Sequence, residues 1–216
     1  MSALPQILAV LAALASVAYL LRFCHRASSG MKTRVKTAST ALLALAALAA
    51  GAPVWLTLAL GLGALGDLML SRDGERAFLA GLIAFAAAHL AYLGLFVTNG
   101  QAAAANLSGQ TLPILLLLGF GATMARLLWP ATGALRGPVM GYVAIILAMG
   151  LGALALPPGA SALPLIAAFC FIASDAILAA ELFLLPEGHP ARRATPFAIW
   201  LLYWSAQALF LVAFLP

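Results

Sequence analysis

Eight apolar stretches of about 16 to 23 residues, nearly free of charge, follow one another along the chain with short connections between them. Cut at charges, Pro and Gly, they run over about 3–23, 36–51, 53–71, 77–97, 111–128, 138–156, 162–184 and 196–215. A helix needs about 20 apolar residues to cross the hydrocarbon core of a bilayer. Inside lipid, each segment must satisfy its own backbone hydrogen bonds, which restricts spanning structures to helices and closed barrels. Segments of this length predict an all-α fold: a polytopic membrane helical bundle of eight transmembrane helices, forming one integral membrane domain over residues 1–216. The second stretch is the shortest and is rich in Ala. Its boundary with the third rests on "AAGAPVW", where Pro53 suits a first helical turn after a Gly-containing break.

Only 8% of the residues are charged, 65% are hydrophobic, and the mean hydropathy is +1.09. A soluble domain carries about a quarter charged residues. The first stretch lacks the basic leading region of a signal peptide and is long enough to span, so it reads as a retained helix. Two cysteines, Cys24 at a helix end and Cys170 within a helix, make neither a disulfide framework nor a metal site.

The positions of the charges are more informative than their sum. Arg22, Arg26, Lys32, Arg34 and Lys36 lie between stretches one and two, and Arg72 and Arg76 between three and four. Arg126 and Arg136 bracket the next such connection, and Arg192 and Arg193 lie before the last stretch. The intervening connections, "TNGQAAAANLSGQ" and "LPPGAS" among them, contain no Lys or Arg. With eight spans, all 11 basic residues fall on one side of the membrane, the cytoplasmic side by the positive-inside rule. Both termini then face outward, and the expected location is a bacterial inner (plasma) membrane. Seven spans would scatter the same charges. The net charge of +5 is thus a topological signal, and no nucleic-acid partner is expected.

Two carboxylates interrupt the apolar stretches: Asp67 in "GLGALGDLMLS" and Asp175 in "FIASDAILAAEL". At 1.5 Å per residue, Asp67 lies roughly 7–8 Å and Asp175 roughly 15 Å from the cytoplasmic ends of their helices. Such a residue costs about 2.5–3.5 kcal/mol to insert, so it faces a bundle interior and is by default functional. The bland alternative is a carboxylate that hydrogen-bonds a neighbouring helix or stays at the interface. Glu181 and Glu187, near the inner end of the seventh stretch, read as interfacial.

A short internal match joins the two. "GDLML" and "SDAIL" share a small residue, Asp, any residue, Met or Ile, then Leu. The following helices lie over one another without a gap, "FAAAHLAYLGLF" (85–96) on "YWSAQALFLVAF" (203–214), which matches His89 to Gln207 and Phe96 to Phe214. Two parallel four-helix halves with one Asp each follow, a repeat logic common in membrane folds.

His89 and Tyr92 share a face at i, i+3, and Tyr203, Trp204 and Gln207 give the last helix a polar face. A packing histidine and an aromatic belt are the plain alternatives. Tyr203 and Trp204 lie some 10 Å inside the helix start, which favours a pocket. Gly61 and Gly63 read as small residues that allow close helix packing. The chain has no Gly-x-Ser-x-Gly, His-Glu-x-x-His or Walker-type motif, so the usual signatures of serine hydrolases, zincins and nucleotide-driven proteins are missing.

In order along the chain, "LGDLML", "FLAGLIAFAAAHLAYLGLF", "ASDAILA" and "YWSAQALFL" resemble the YhhN-like lysoplasmalogenase family, whose eukaryotic members are the transmembrane protein 86 group. The resemblance implies an eight-span hydrolase acting on lysophospholipids. It would cleave the vinyl ether of a lysoplasmalogen to a fatty aldehyde and glycerophosphoethanolamine or glycerophosphocholine. The family's paired aspartates fall on Asp67 and Asp175, through their Gly-Asp and Ser-Asp contexts.

Vinyl ether hydrolysis starts with protonation of the outer alkene carbon, and water adds to the resulting oxocarbenium ion. It needs a carboxylic acid kept protonated near neutral pH and a carboxylate to stabilise the cation, a division of labour glycosidases also use. Asp175, the deeper, is assigned the acid and Asp67 the stabilising role; the reverse order serves the chemistry nearly as well. Tyr203, Trp204, Gln207, His89 and Tyr92 would line the pocket, with an aromatic face for a choline or ammonium head. Arg72 or Arg76 would contact the lipid phosphate, unless they are simple topology charges. No metal and no cofactor is expected. A proton-coupled transporter or channel for a small lipid-like solute is the rival reading, since it too uses paired intramembrane carboxylates. A closed cavity on the cytoplasmic side favours hydrolysis; a continuous polar path favours transport.

Overall fold

A computed structural model describes residues 3–157 and 162–216; part of the "LPPGAS" connection, residues 158–161, lies outside them. The described residues form eight long helices joined by short connections: α1 (Leu4–Arg22), α2 (Gly30–Ala49), α3 (Val54–Leu70), α4 (Glu75–Thr98), α5 (Thr111–Ala131), α6 (Arg136–Leu154), α7 (Leu163–Phe183) and α8 (Thr195–Phe214). The fold is an all-α polytopic membrane bundle. Six of these helices, α1 and α4 to α8 (α6 with the turn before it), are long and apolar enough to cross a membrane. The apolar α3 has 17 residues. The 20-residue α2 carries Lys32, Arg34 and Lys36 in its first two turns.

Seven of the eight expected stretches match their helices to within about three residues, which is the scatter expected of helix ends. The second does not. Its helix begins at Gly30 rather than near residue 36, because the Ser29 side chain accepts a hydrogen bond from the Lys32 backbone N–H (3.2 Å) and caps the first turn. Lys36 is therefore a helical residue projecting into the bundle and not a loop charge. Pro53 stands just before α3 as its capping residue, after Gly51 in a left-handed conformation (φ +69°).

Consecutive helices pack as antiparallel neighbours, α1 on α2, α2 on α3, α3 on α4, and α5 through α8 in the same manner. The two series meet where α4 packs on α6 and α2 on α8. Aromatic rings fill the centre: Tyr92, Phe96, Phe171 and Phe210 are fully buried, with Tyr92 stacked on Phe210 at 3.9 Å. On α1, Leu4, Ile7, Val10, Leu11, Leu14, Val17 and Leu21 face outward, as a lipid-facing helix requires. Leu112, Leu115, Leu116 and Phe120 do the same on α5.

Candidate active site

Asp67 sits three residues before the end of α3 and is 1% exposed. Four helices contribute to its surroundings. Its Oδ1 pairs with the Lys36 ammonium of α2 (3.1 Å). Its Oδ2 accepts hydrogen bonds from the Thr40 hydroxyl of α2 and the Tyr203 phenol of α8, both at 2.9 Å. Lys36 and Thr40 share one face because they stand at i, i+4. The same spacing on α8 lets the Gln207 amide donate to the Tyr203 oxygen (3.1 Å), and Tyr92 of α4 in turn donates to Gln207. A buried charge survives only when paired and hydrogen-bonded. The charge on Asp67 is compensated by Lys36, and two hydroxyls hold its orientation.

Asp175, eight residues before the end of α7, has different partners. Its Oδ2 accepts a hydrogen bond from the Tyr142 phenol of α6 and faces His89 Nε2 of α4 at 3.2 Å. His89 Nε2 also lies 2.8 Å from the Tyr142 oxygen. The imidazole is fully buried, edge-on to Phe171 at 4.5 Å, and its Nδ1 has no partner among the described residues. A bare Nδ1 fits the neutral ring with its proton on Nε2. Among the described residues, no lysine or arginine pairs with Asp175 and no hydrogen bond involves its Oδ1; its side chain is 15% exposed.

Both aspartates line one polar cavity of about 310 Å³ at the end of the bundle that carries the basic residues. Lys32, Lys36, Glu181 and Tyr203 share its wall. A second, narrower cavity of about 90 Å³ lies among α4, α5, α6 and α7 and is almost wholly apolar, with Phe78, Phe120, Met124, Ile146 and Leu147 along it. The two have Leu70, Phe85, Asp175 and Leu178 in common. Asp175 thus stands at the junction between a polar chamber and an apolar groove. Phe85 stands beside it, edge-on to Phe171 (6.2 Å) and Tyr203 (5.6 Å).

A model of the YhhN family matches residues 31–214. The chain belongs to the YhhN family. The match runs from the start of α2 to the end of α8, so it includes the hydrogen-bond and ion-pair partners of both aspartates and leaves out α1, with Tyr19, Cys24 and Ser28 of the cavity wall. No curated protein and no solved structure matches the chain.

Other residues singled out in the sequence are distributed unevenly in this YhhN chain. Tyr203 lines the cavity, Gln207 supports it from behind, Tyr92 lies deeper still, and His89 touches Asp175. Trp204 is half-buried and outside the cavity wall, and its indole N–H has no partner among the described residues. Arg72 and Arg76 are exposed; Arg72 borders a shallow surface depression with Asp73 and Glu75 and does not line the cavity. Lys32 and Lys36 of α2 are the basic residues that line it. Glu181, read as interfacial, is a wall residue, whereas Glu187 is exposed. Thr40, Tyr142 and Lys36 were not foreseen. The Lys32–Lys36–Thr40 spacing on one helical face was the available signal for two of them; Tyr142 offered none. Among the described residues, no three of His, Cys, Asp and Glu come together as a metal-binding group.

Proposed function

We propose that this YhhN chain is a membrane lysoplasmalogenase, with Asp175 as the general acid and Asp67 as the ionised partner. The observation that carries this reading is the position of Asp175, open to a polar chamber on one side and to an apolar groove on the other. A single-chain lipid placed with its tail in the groove and its head in the chamber has its vinyl ether at the junction.

The different surroundings of the two carboxylates support the division of roles. Lys36 neutralises an ionised Asp67, whereas among the described residues Asp175 has no such cation and its Oδ1 has no hydrogen-bond partner, which leaves that oxygen open to carry a proton. In the reaction, the Asp175 proton passes to the outer alkene carbon, and the ether oxygen shares the resulting positive charge. Water adds to the inner carbon and gives up a proton to the Asp175 carboxylate. The hemiacetal then breaks its C–O bond to the glycerol oxygen, which takes the Asp175 proton while the hemiacetal hydroxyl returns its own proton to Asp175, leaving the aldehyde and the glycerophospho head. Tyr142 and His89 orient Asp175; Tyr203 and Thr40 hold Asp67 in the chamber wall.

Transport is less well supported. The polar chain from Lys36 through Asp67, Tyr203 and Gln207 ends at Tyr92, beyond which lie the buried rings of Phe96 and Phe210. A two-half arrangement belongs to the same proposal. Asp67 is held by the second helix of its own half and the last helix of the other, and so is Asp175: α2 and α8 for the first, α6 and α4 for the second.

Aldehyde release from lysoplasmalogen by the purified protein tests the reading. Asp175→Asn and Asp67→Asn, at unchanged monodispersity, should each lower turnover by about 10²–10⁴-fold, the usual contribution of a positioned acid or base. Turnover preserved in both variants would reduce the aspartates to structural hydrogen-bonding residues. An inactive wild type that accumulates lysolipid in vesicles would move the assignment to transport.

A further inference from the structure

Apart from the exposed Asp73, the polar chamber contains two charges that the proposed reaction does not use. Lys32, one turn before Lys36 on α2, donates to the carbonyl oxygens of Arg26 (2.6 Å) and Cys24 (3.5 Å). Among the described residues no carboxylate lies within ion-pair distance of its ammonium. Glu181, on α7, accepts a hydrogen bond from the Thr195 hydroxyl. Arg192 donates to the backbone carbonyls of Glu181 (2.5 Å), Leu185 and Pro186 and not to the Glu181 side chain, so the Glu181 carboxylate likewise has no cationic partner among the described residues. Both side chains are half-buried. A partly desolvated charge without a counter-charge is costly, and a ligand that brings one is bound correspondingly well.

The two lie at either end of a short string of contacts along the rim. Lys32 touches the Cys24 carbonyl, the Cys24 thiol donates to the Pro196 carbonyl (3.3 Å), and the neighbouring Thr195 holds Glu181. Burial raises the Cys24 thiol above its ordinary range, Lys32 and Lys36 oppose that rise, and Glu181 adds to it, so Cys24 lies in the field of both groups. The overall charge of the wall limits what the chamber accepts. Asp67, Asp73, Asp175 and Glu181 line it against Lys32 and Lys36, and Asp67 already takes Lys36. A purely anionic head would bring one more negative charge into a wall rich in carboxylates. A neutral head would leave Lys32 and Glu181 unpaired.

We propose that Lys32 and Glu181 together read a zwitterionic head group, with Lys32 on the phosphate and Glu181 on the ammonium. The proposal rests on the lipid reading of the site but not on the bond that is cleaved, so its test uses lipids that cannot react. The probes are three saturated 1-O-hexadecyl glycerolipids: one with a phosphoethanolamine head, one with phosphate alone and one with the free glycerol. Their binding is measured by equilibrium competition on purified protein in nanodiscs.

The wild type should prefer the zwitterion about tenfold over the phosphate-only lipid, a factor of the size one charge-assisted hydrogen bond supplies. Glu181→Gln, which keeps the Thr195 contact, should abolish that preference and leave the phosphate-only lipid unchanged. Lys32→Gln should weaken both phosphate-bearing lipids about tenfold and leave the glycerol lipid unchanged. Equal binding of zwitterion and phosphate-only lipid by the wild type overturns the proposal. So does either variant weakening all three lipids alike, which marks a structural effect. If the ranking holds but vinyl ether turnover fails, the head-group site stands and the proposed reaction falls. If turnover is found without the ranking, the reverse is true.

Discussion

At the scale of single residues, the fully buried Asp67 is intelligible only through Lys36. Breaking a buried pair by removing one partner leaves the other charge uncompensated. Lys36 retains an 18% exposed side chain, so water from the chamber softens the loss. Lys36→Met should therefore lower stability by about 2–3 kcal/mol, in the range for an orphaned charged group, and should depress turnover with it. Adding Asp67→Asn removes the orphaned charge and should recover part of the stability but none of the activity. Thermal unfolding in detergent, read beside aldehyde release, separates the two effects; a double variant no more stable than Lys36→Met would show that the pair is not the source of the loss. This pair also shows what a sequence reveals of a candidate site. A carboxylate in an apolar run is conspicuous because bilayer insertion makes it costly, so Asp67 and Asp175 stand out. A lysine two residues after Arg34, at the end of a basic cluster, looks like topology. Tyr142 looks like an interface aromatic, because nothing in α6 itself records that α7 brings a carboxylate against it.

At the scale of helices, α3 depends on small residues on one face. A Cβ at Gly66 would meet the ring of Phe85 at 2.6 Å, and one at Gly63 would collide with the Gln207 amide. Gly61, grouped with Gly63 on sequence grounds, has nothing within 4 Å and is not needed for packing. Phe85 is 7% exposed and wedged against Phe171 and Tyr203, so its ring cannot step aside cheaply. Gly66→Ala should cost about 1–3 kcal/mol, the usual range for overpacking, and should disturb the junction that Phe85 borders. Gly61→Ala should be close to neutral in both stability and turnover. Comparison of the two by thermal unfolding checks the assignment, and equal effects would refute it. Helix positions were legible to within about a turn wherever an apolar run ended in charge or Pro. The start of α2 was not, because hydropathy excludes a charged first turn, whereas a Ser29 cap and the bundle's polar chamber stabilise it. Which helices cross was also hidden: α4 on α6 and α2 on α8 are contacts between distant parts of the chain.

At the scale of the whole molecule, every basic residue and the mouth of the polar chamber belong to the same end of the bundle. The connections α1–α2, α3–α4, α5–α6 and α7–α8 carry the Lys and Arg residues, with Arg126 five residues before the end of α5. Positive residues in short loops are retained on the cytoplasmic side, so the chamber should open to the cytoplasm and the groove should meet the inner leaflet. A lipid would then enter sideways, tail first into the groove, with its head never leaving the cytoplasmic face. Two single cysteines test this in a Cys24→Ser, Cys170→Ser background, with a membrane-impermeant maleimide on intact cells. Ser108→Cys, exposed in the α4–α5 connection, should label directly; Glu187→Cys, exposed in the α7–α8 connection, should label only after permeabilisation. The opposite pattern would place the chamber outside and oblige the protein to draw on the outer leaflet. Labelling of both in intact cells would mean that α5, α6 and α7 do not together carry the chain across, and the eight-span count would fall with it.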